Sequence, residues 1–155
     1  GGGKTRFMKR ILPMIHHVQG ISQPLDSWFD VCHGGQVSDT GVPFNPNIFK
    51  LAMEQPDRWA YTFQVWCLLT RFRAFQEFQQ KSVKTPRIVM TERSWVTDKV
   101  FADFLYENGK MTEVEHSMYE YMWQWVVKEA PAYQGHVFLE EPVNILMNRI
   151  RHRMR

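Results

Sequence analysis

Gly1-Gly2-Gly3-Lys4-Thr5 forms the back half of the pattern G-x-x-x-x-G-K-[ST]. In such a loop, backbone N–H groups wrap a phosphate chain, the lysine reaches its outer oxygens and the hydroxyl ligates Mg²⁺. Gly3, Lys4 and Thr5 have the residue types for those roles. The five residues alone would also read as a glycine run before a basic residue. The helical spacing of Phe7, Met8, Ile11 and Leu12 directly behind them favours the loop, because a helix starting there aims its positive end at the anion.

Three further groups carry possible chemistry. Gln64 and Arg71 lie nearly two helical turns apart and so share a face, with Phe63 and Trp66 beside the amide. An amide between aromatic walls can pair with a nucleobase edge as donor and acceptor together. On spacing alone, however, such a pair reads as a solvated polar face. Glu92-Arg93-Ser94 follows the apolar run Pro86 to Thr91, and Asp98 comes soon after. Ligands of open α/β sheets sit beyond the carboxyl ends of strands, although a structural ion pair at a helix start fits these residues equally well. Arg149, Arg151, Arg153 and Arg155 could clamp a phosphoryl group, or could simply end a helix with favourable charge. His16 and His17 are adjacent, so their side chains diverge, and no metal site is expected there.

The elements that must position these groups can be read in outline. Pro13 falls inside the first helical pattern and should bend it or end it early. His17 to Ile21 reads as extended, and His33 to Asn47, rich in Gly, Asn and Pro, as a loop. Asn47 to Gln80 reads as helix interrupted near Gln55-Pro56, with Trp59, Phe63, Trp66 and Thr70 on one stripe. Pro86 to Thr91 and Gly135 to Glu140 read as strands. A helix from about Ser94 follows the first of them. Thr112 with Glu115 forms a capping box for the next, whose apolar stripe is Val114, Met118, Tyr121, Met122 and Trp125, closed by Pro131. A last helix runs from Pro142 into the basic end. Strands alternating with helices imply an α/β fold with a parallel sheet.

The 155 residues make one domain or part of one, and 44% hydrophobic and 14% aromatic content is enough for a packed core. The net charge of +3 is spread along the chain, giving little support for nucleic-acid binding. No apolar run reaches the ~18 residues of a membrane span. The two cysteines, Cys32 and Cys67, lack CxxC spacing and read as free thiols.

Taken together, these segments resemble the deoxynucleoside kinase family, which includes deoxycytidine and deoxyguanosine kinases. Pro56 to Arg71 (PDRWAYTFQVWCLLTR) is similar to the family's P-x-R-W-x-x-T-F-Q helix. Met90 to Met111 resembles its E-R-S-x-x-S-D segment, and Gly135 to Arg155 resembles the strand and arginine-rich lid. The similarity covers essentially residues 1–155 as a single, incomplete domain. It implies a P-loop kinase three-layer sandwich whose central strand lies before Gly1 and whose remaining lid lies after Arg155. The isolated stretch is therefore expected to be poorly soluble and inactive.

The resemblance implies ATP-dependent phosphorylation of a deoxynucleoside 5′-hydroxyl, with ATP and Mg²⁺ as cofactors and a homodimer as the assembly. Cytoplasm and mitochondrion both remain open. It implies that Gln64 pairs with the base, Arg71 and Asp98 shape that side, and Trp28, Phe63 and Phe101 line the cavity. Arg93 would hold the 5′-hydroxyl and phosphate region, and Glu92 with Thr5 the metal. Gly1, Gly3, Lys4, Thr5, Arg153 and Arg155 would hold phosphates, with Arg149 near the ATP base. Two departures stand out. Gln23-Pro24 occupies the place of the family's Glu-Pro, whose carboxylate takes the 5′-hydroxyl proton, and an amide cannot act as that base. Met53 occupies the place of a tyrosine that touches the sugar 3′-hydroxyl. A non-catalytic protein that binds nucleoside or a partner is the alternative these departures leave. Base preference would depend on pocket shape around Ala52, Met53, Cys67 and Phe101.

Overall fold

The computed structural model describes residues 3–31, 47–81 and 88–153. The chain divides into two compact units, one of Gly1–Ser22, Lys84–Glu92 and Ala132–Arg155, the other of Gln23–Val83 and Arg93–Pro131.

In the first unit β1 (Val18–Ile21) and β2 (Ile88–Thr91) pair in parallel, Val18 opposite Ile88 and Ile21 opposite Thr91. Parallel pairing of strands so distant in sequence, joined through helices, is the mark of the expected α/β class. Ahead of β1 runs one helical stretch: α1 (Lys4–Arg6), a π-helical turn over Phe7–Ile11 and a 3₁₀ turn over Leu12–Met14. Pro13 has no N–H to continue the ladder, and the backbone turns extended at Ile15, so the early ending expected from sequence is what forms. Buried Met8 and Leu12 lie against β1 at Gly20. A Cβ on Gly20 would come within 2.6 Å of Leu12 Cδ2 and 3.0 Å of Met8 Cε, so a larger residue there would have to push these two side-chain ends aside. The unit also contains α7 (Val143–Arg153).

The strand expected at Gly135 to Glu140 does not form; those residues have no regular structure, with Val137 and Phe138 exposed. An apolar run becomes a strand only where a neighbour accepts its backbone hydrogen bonds, and among the described residues only β1 and β2 pair.

The second unit is helical: α2 (Asp26–Phe29), α3 (Ile48–Glu54), α4 (Pro56–Lys81), α5 (Trp95–Glu107) and α6 (Glu113–Glu129). The break near Gln55-Pro56 is present, because proline is tolerated in the first turn of α4 but not within a continuous helix. Asn47 caps α3 by accepting from the Lys50 N–H at 2.8 Å. Thr112 and Glu115 form the expected capping box of α6, and Ser94 with Thr97 forms an unforeseen one at the start of α5. The loop assigned to His33 to Asn47 lies outside the described residues except at Asn47.

α4 is the spine of this unit. Ala60, Phe63, Gln64, Cys67, Leu68, Arg71, Phe72 and Phe75 are buried along one helical stripe. Trp28, Ile48 and Ala52 pack against Phe63 and Cys67, while Phe72 meets the Trp95 and Trp125 rings at 6.1 and 5.4 Å. The stripe assigned to α6 is only partly turned inward: Met122 is half-buried and Trp125 meets Phe72 with its other side exposed. Val114, Met118 and Tyr121 are exposed, and the helix buries Tyr119 and Val126 instead. Helix α6 is apolar around much of its circumference, so hydrophobicity alone could not fix which side meets α4 and α5.

Candidate active site

In the first unit the turn at Gly3 has φ 80, a left-handed conformation that glycine adopts without steric penalty. It releases the chain into the helical run, with Gly3 O accepting from the Phe7 N–H at 2.9 Å. Thr5, one residue beyond Lys4, donates its hydroxyl to Glu92 Oε1 at 2.8 Å. Glu92 is fixed by the sheet, because its N–H donates to Ile21 O at 3.1 Å and so extends the β1–β2 ladder by one bond. Arg149 also reaches this turn. Its Nη1 lies 3.9 Å from where a Cβ on Gly3 would stand, and its Nη2 donates to Glu141 Oε1 at 2.8 Å. An open depression of about 440 Å³ is lined by Thr5, Arg6, Lys9 and Arg10.

This arrangement assembles a hydroxyl, a carboxylate and a guanidinium around a glycine turn at a helix start, with Lys4 exposed beside them. Mg²⁺ prefers oxygen ligands, few of them from protein, with substrate phosphates completing its shell. The paired oxygens of Thr5 and Glu92 fit that ion, and the cationic setting fits a phosphate chain. Gly1, Arg155 and the side chain of Arg153 lie outside the described residues.

Among the described residues of the second unit four polar side chains are buried: the helix cap Ser94 and, deeper in the helical packing, Gln64 at 7% exposure, Arg71 at 5% and Asp98 at 3%. The solvated face that spacing suggests for Gln64 and Arg71 is therefore not what forms. Arg71 on α4 pairs with Asp98 on α5. Its guanidinium lies 5.6 Å from the Trp28 ring centroid, and Trp28 meets Phe63 edge to face at 5.7 Å. Burial pushes the Asp98 carboxyl above its ordinary value, with Arg71 first and then Arg93 drawing it back. Burial likewise pushes the Cys67 thiol well up, so it stays protonated at neutral pH. Arg93 lies over the Phe101 ring at 4.8 Å, and its Nε is buried with no hydrogen-bond partner among the described residues.

Trp28, Phe63, Arg71 and Asp98 thus form one aromatic-walled, charged contact set, with Gln64 buried on the same stripe of α4. Met53 is 62% exposed on α3, and Gln23 is half-buried where its carbonyl accepts from the Leu25 N–H at 2.9 Å. Both stand outside that contact set. Sequence reasoning gave no part to Thr70, whose hydroxyl accepts from Trp28 Nε1 at 3.0 Å and donates to Trp66 O at 2.6 Å. A threonine continuing an aromatic helical stripe was the available signal. Among the described residues no helix is long and apolar enough to cross a membrane.

The chain matches the family model described as deoxynucleoside kinase over residues 1–155. It is similar to the mitochondrial deoxyguanosine kinase of Xenopus laevis, at 26% identity over 99% of this chain and 60% of that protein. The deoxycytidine kinase of Bos taurus matches at 26% over 96% of this chain and 60% of its own length. A putative deoxynucleoside kinase of Frog virus 3 is 29% identical over 70% of this chain and 52% of its own. The chain therefore spans about 60% of the length of the two animal relatives. With the glycine turn, the strand-end glutamate and the buried Gln64–Arg71–Asp98 group all falling within the matched span, the chain belongs to the deoxynucleoside kinase family.

Proposed function

We propose that the complete protein transfers the γ-phosphate of ATP to the 5′-hydroxyl of a deoxynucleoside. The observation that carries this reading is the burial of Gln64, Arg71 and Asp98, with the Arg71 guanidinium against Trp28 and Trp28 against Phe63. Desolvating an amide and an ion pair is unfavourable, and the burial makes functional sense where a base edge completes their hydrogen bonding. Gln64 would offer donor and acceptor to the base, Asp98 and Arg71 would set its far side, and Phe101 would add wall. Arg93, half-buried with no partner for its Nε among the described residues, would hold the 5′ end of the substrate.

Gly3, Lys4 and Thr5 would bind the phosphates of ATP, with Arg149 beside them and Arg153 and Arg155 closing from the lid. Thr5 and Glu92 would hold Mg²⁺, which when bound supplies charge neutralisation to the transferring phosphoryl group. Phosphoryl transfer depends chiefly on positioning and charge, so Gln23 in place of a carboxylate removes one contribution, worth about 10²–10⁴-fold, and leaves the rest. Gln23 can still orient a hydroxyl through its amide. A homodimer would find apolar surface in the exposed Val114, Met118 and Tyr121 of α6.

The second reading, a kinase fold that binds nucleoside or a protein partner without turnover, is favoured by Gln23 and by exposed Met53. ATP-dependent phosphorylation of the four deoxynucleosides by the full-length protein separates the two. We expect turnover that Lys4→Ala abolishes and Gln23→Glu raises. Nucleoside binding without turnover in either the parent or Gln23→Glu would establish the second reading.

A further inference from the structure

Among the described residues Tyr119 is the largest fully buried side chain, at 1% exposure, and its hydroxyl oxygen has no hydrogen-bond partner there. A phenylalanine would fill the same space without burying a polar atom, so the hydroxyl needs an explanation. Its surroundings supply one. Helix α6, which carries Tyr119, packs on both α4 and α5, the helices that bring Arg71 to Asp98. Arg71 Nε is a second buried polar atom without a partner. Burial is the first cause raising the Tyr119 phenol, and the charge of Asp98 is the next, followed by Cys67, with Arg71 acting oppositely and Asp103 adding a little. The hydroxyl is thus an unpartnered polar atom on the helix that packs against the two helices carrying the buried Arg71 and Asp98.

We propose that Tyr119 is a positioning residue, its hydroxyl donating to the Asp98 carboxylate through one internal water and so fixing the Arg71–Asp98 pair. A phenol is the right donor for this place. It carries a proton to offer, stays neutral, and hangs from a rigid ring whose packing sets the direction of the O–H. An internal water is at home where two or more buried polar groups face one cavity. Held from behind, the carboxylate keeps one orientation toward Arg71, and whatever reads a base edge beside Gln64 inherits that order. This consequence for base selection rests on the nucleoside reading above; the hydrogen bond itself does not.

The test uses the full-length protein and Tyr119→Phe. Loss of one hydrogen bond to a charged group corresponds to about tenfold or more in affinity, so we expect nucleoside KM to rise about tenfold, kcat to change less than about twofold, and preference among the four bases to flatten. Unchanged KM and preference, with an equal or higher Tm, would mean the hydroxyl is a true orphan and would overturn the proposal. If no nucleoside binds the parent, the nucleoside reading fails alone, and a thermal double-mutant cycle of Tyr119→Phe with Asp98→Asn still decides the contact. Strictly additive Tm shifts overturn it and sub-additive shifts support it. Should Tyr119→Phe not fold, a crystal structure of the parent serves. Tyr119 Oη bridged to Asp98 by one water supports the assignment, and any other partner refutes it.

Discussion

Asp98→Asn should be among the most destabilising single changes in the helical unit. The substitution keeps the shape of the side chain but removes the charge that faces Arg71, leaving a guanidinium 5% exposed with no counter-ion. Breaking one member of a buried pair costs about 3–5 kcal/mol, because the remaining charge has lost its water and its partner together. For a chain of this size about 1 kcal/mol moves Tm by roughly 2–4 °C, so the expected drop is about 6–20 °C. The assay is thermal and urea unfolding of the full-length protein, beside the double variant Arg71→Met/Asp98→Leu. Replacing both charges with apolar groups should recover most of the loss while weakening nucleoside binding. A single variant within about 0.5 kcal/mol of the parent, the ordinary range for an uninvolved surface change, would refute the reasoning. So would a double variant as unstable as the single one.

Two further perturbations probe the same unit. Thr70→Val leaves the buried Trp28 indole N–H without its acceptor, which costs about 1–3 kcal/mol; urea unfolding should show the loss, tryptophan emission should shift, and Thr70→Ser should restore both. Asp103 feels burial pushing its carboxyl up, but bonds from Lys99 and then His116 outweigh this and hold it below the ordinary value. Its contribution is therefore present above the unfolded value and lost as pH falls through the folded one. At 37% side-chain exposure it should amount to less than about 1 kcal/mol, so Asp103→Asn and the parent should differ slightly at neutral pH and converge in acid.

What was legible in the sequence was local, and what was not depended on partners. Capping at Thr112, the break at Pro56 and the early end at Pro13 each follow from one or two residues whose backbone chemistry admits few conformations, and each forms as expected. The glycine turn belongs to the same class. The Gly135–Glu140 run and most of the α6 stripe were misread because period and hydrophobicity say that a segment has something to bury, not which neighbour will bury it. The site divides along the same line. The Gly3–Thr5 turn is a local backbone device and could be read directly. Gln64 and Arg71 could not, because a polar pair on one helix face has the same spacing whether water or Asp98 lies opposite. Only the family's ordered motifs pointed inward, and the burial of all three residues shows why: an amide and an ion pair are placed inside at a cost in desolvation that packing alone would have avoided. Tyr119 carries the argument one step further. Its ring was hidden from sequence reading by a helix apolar on several sides, and its hydroxyl, surplus to packing, is an unpartnered polar atom on the helix that packs against those carrying Arg71 and Asp98.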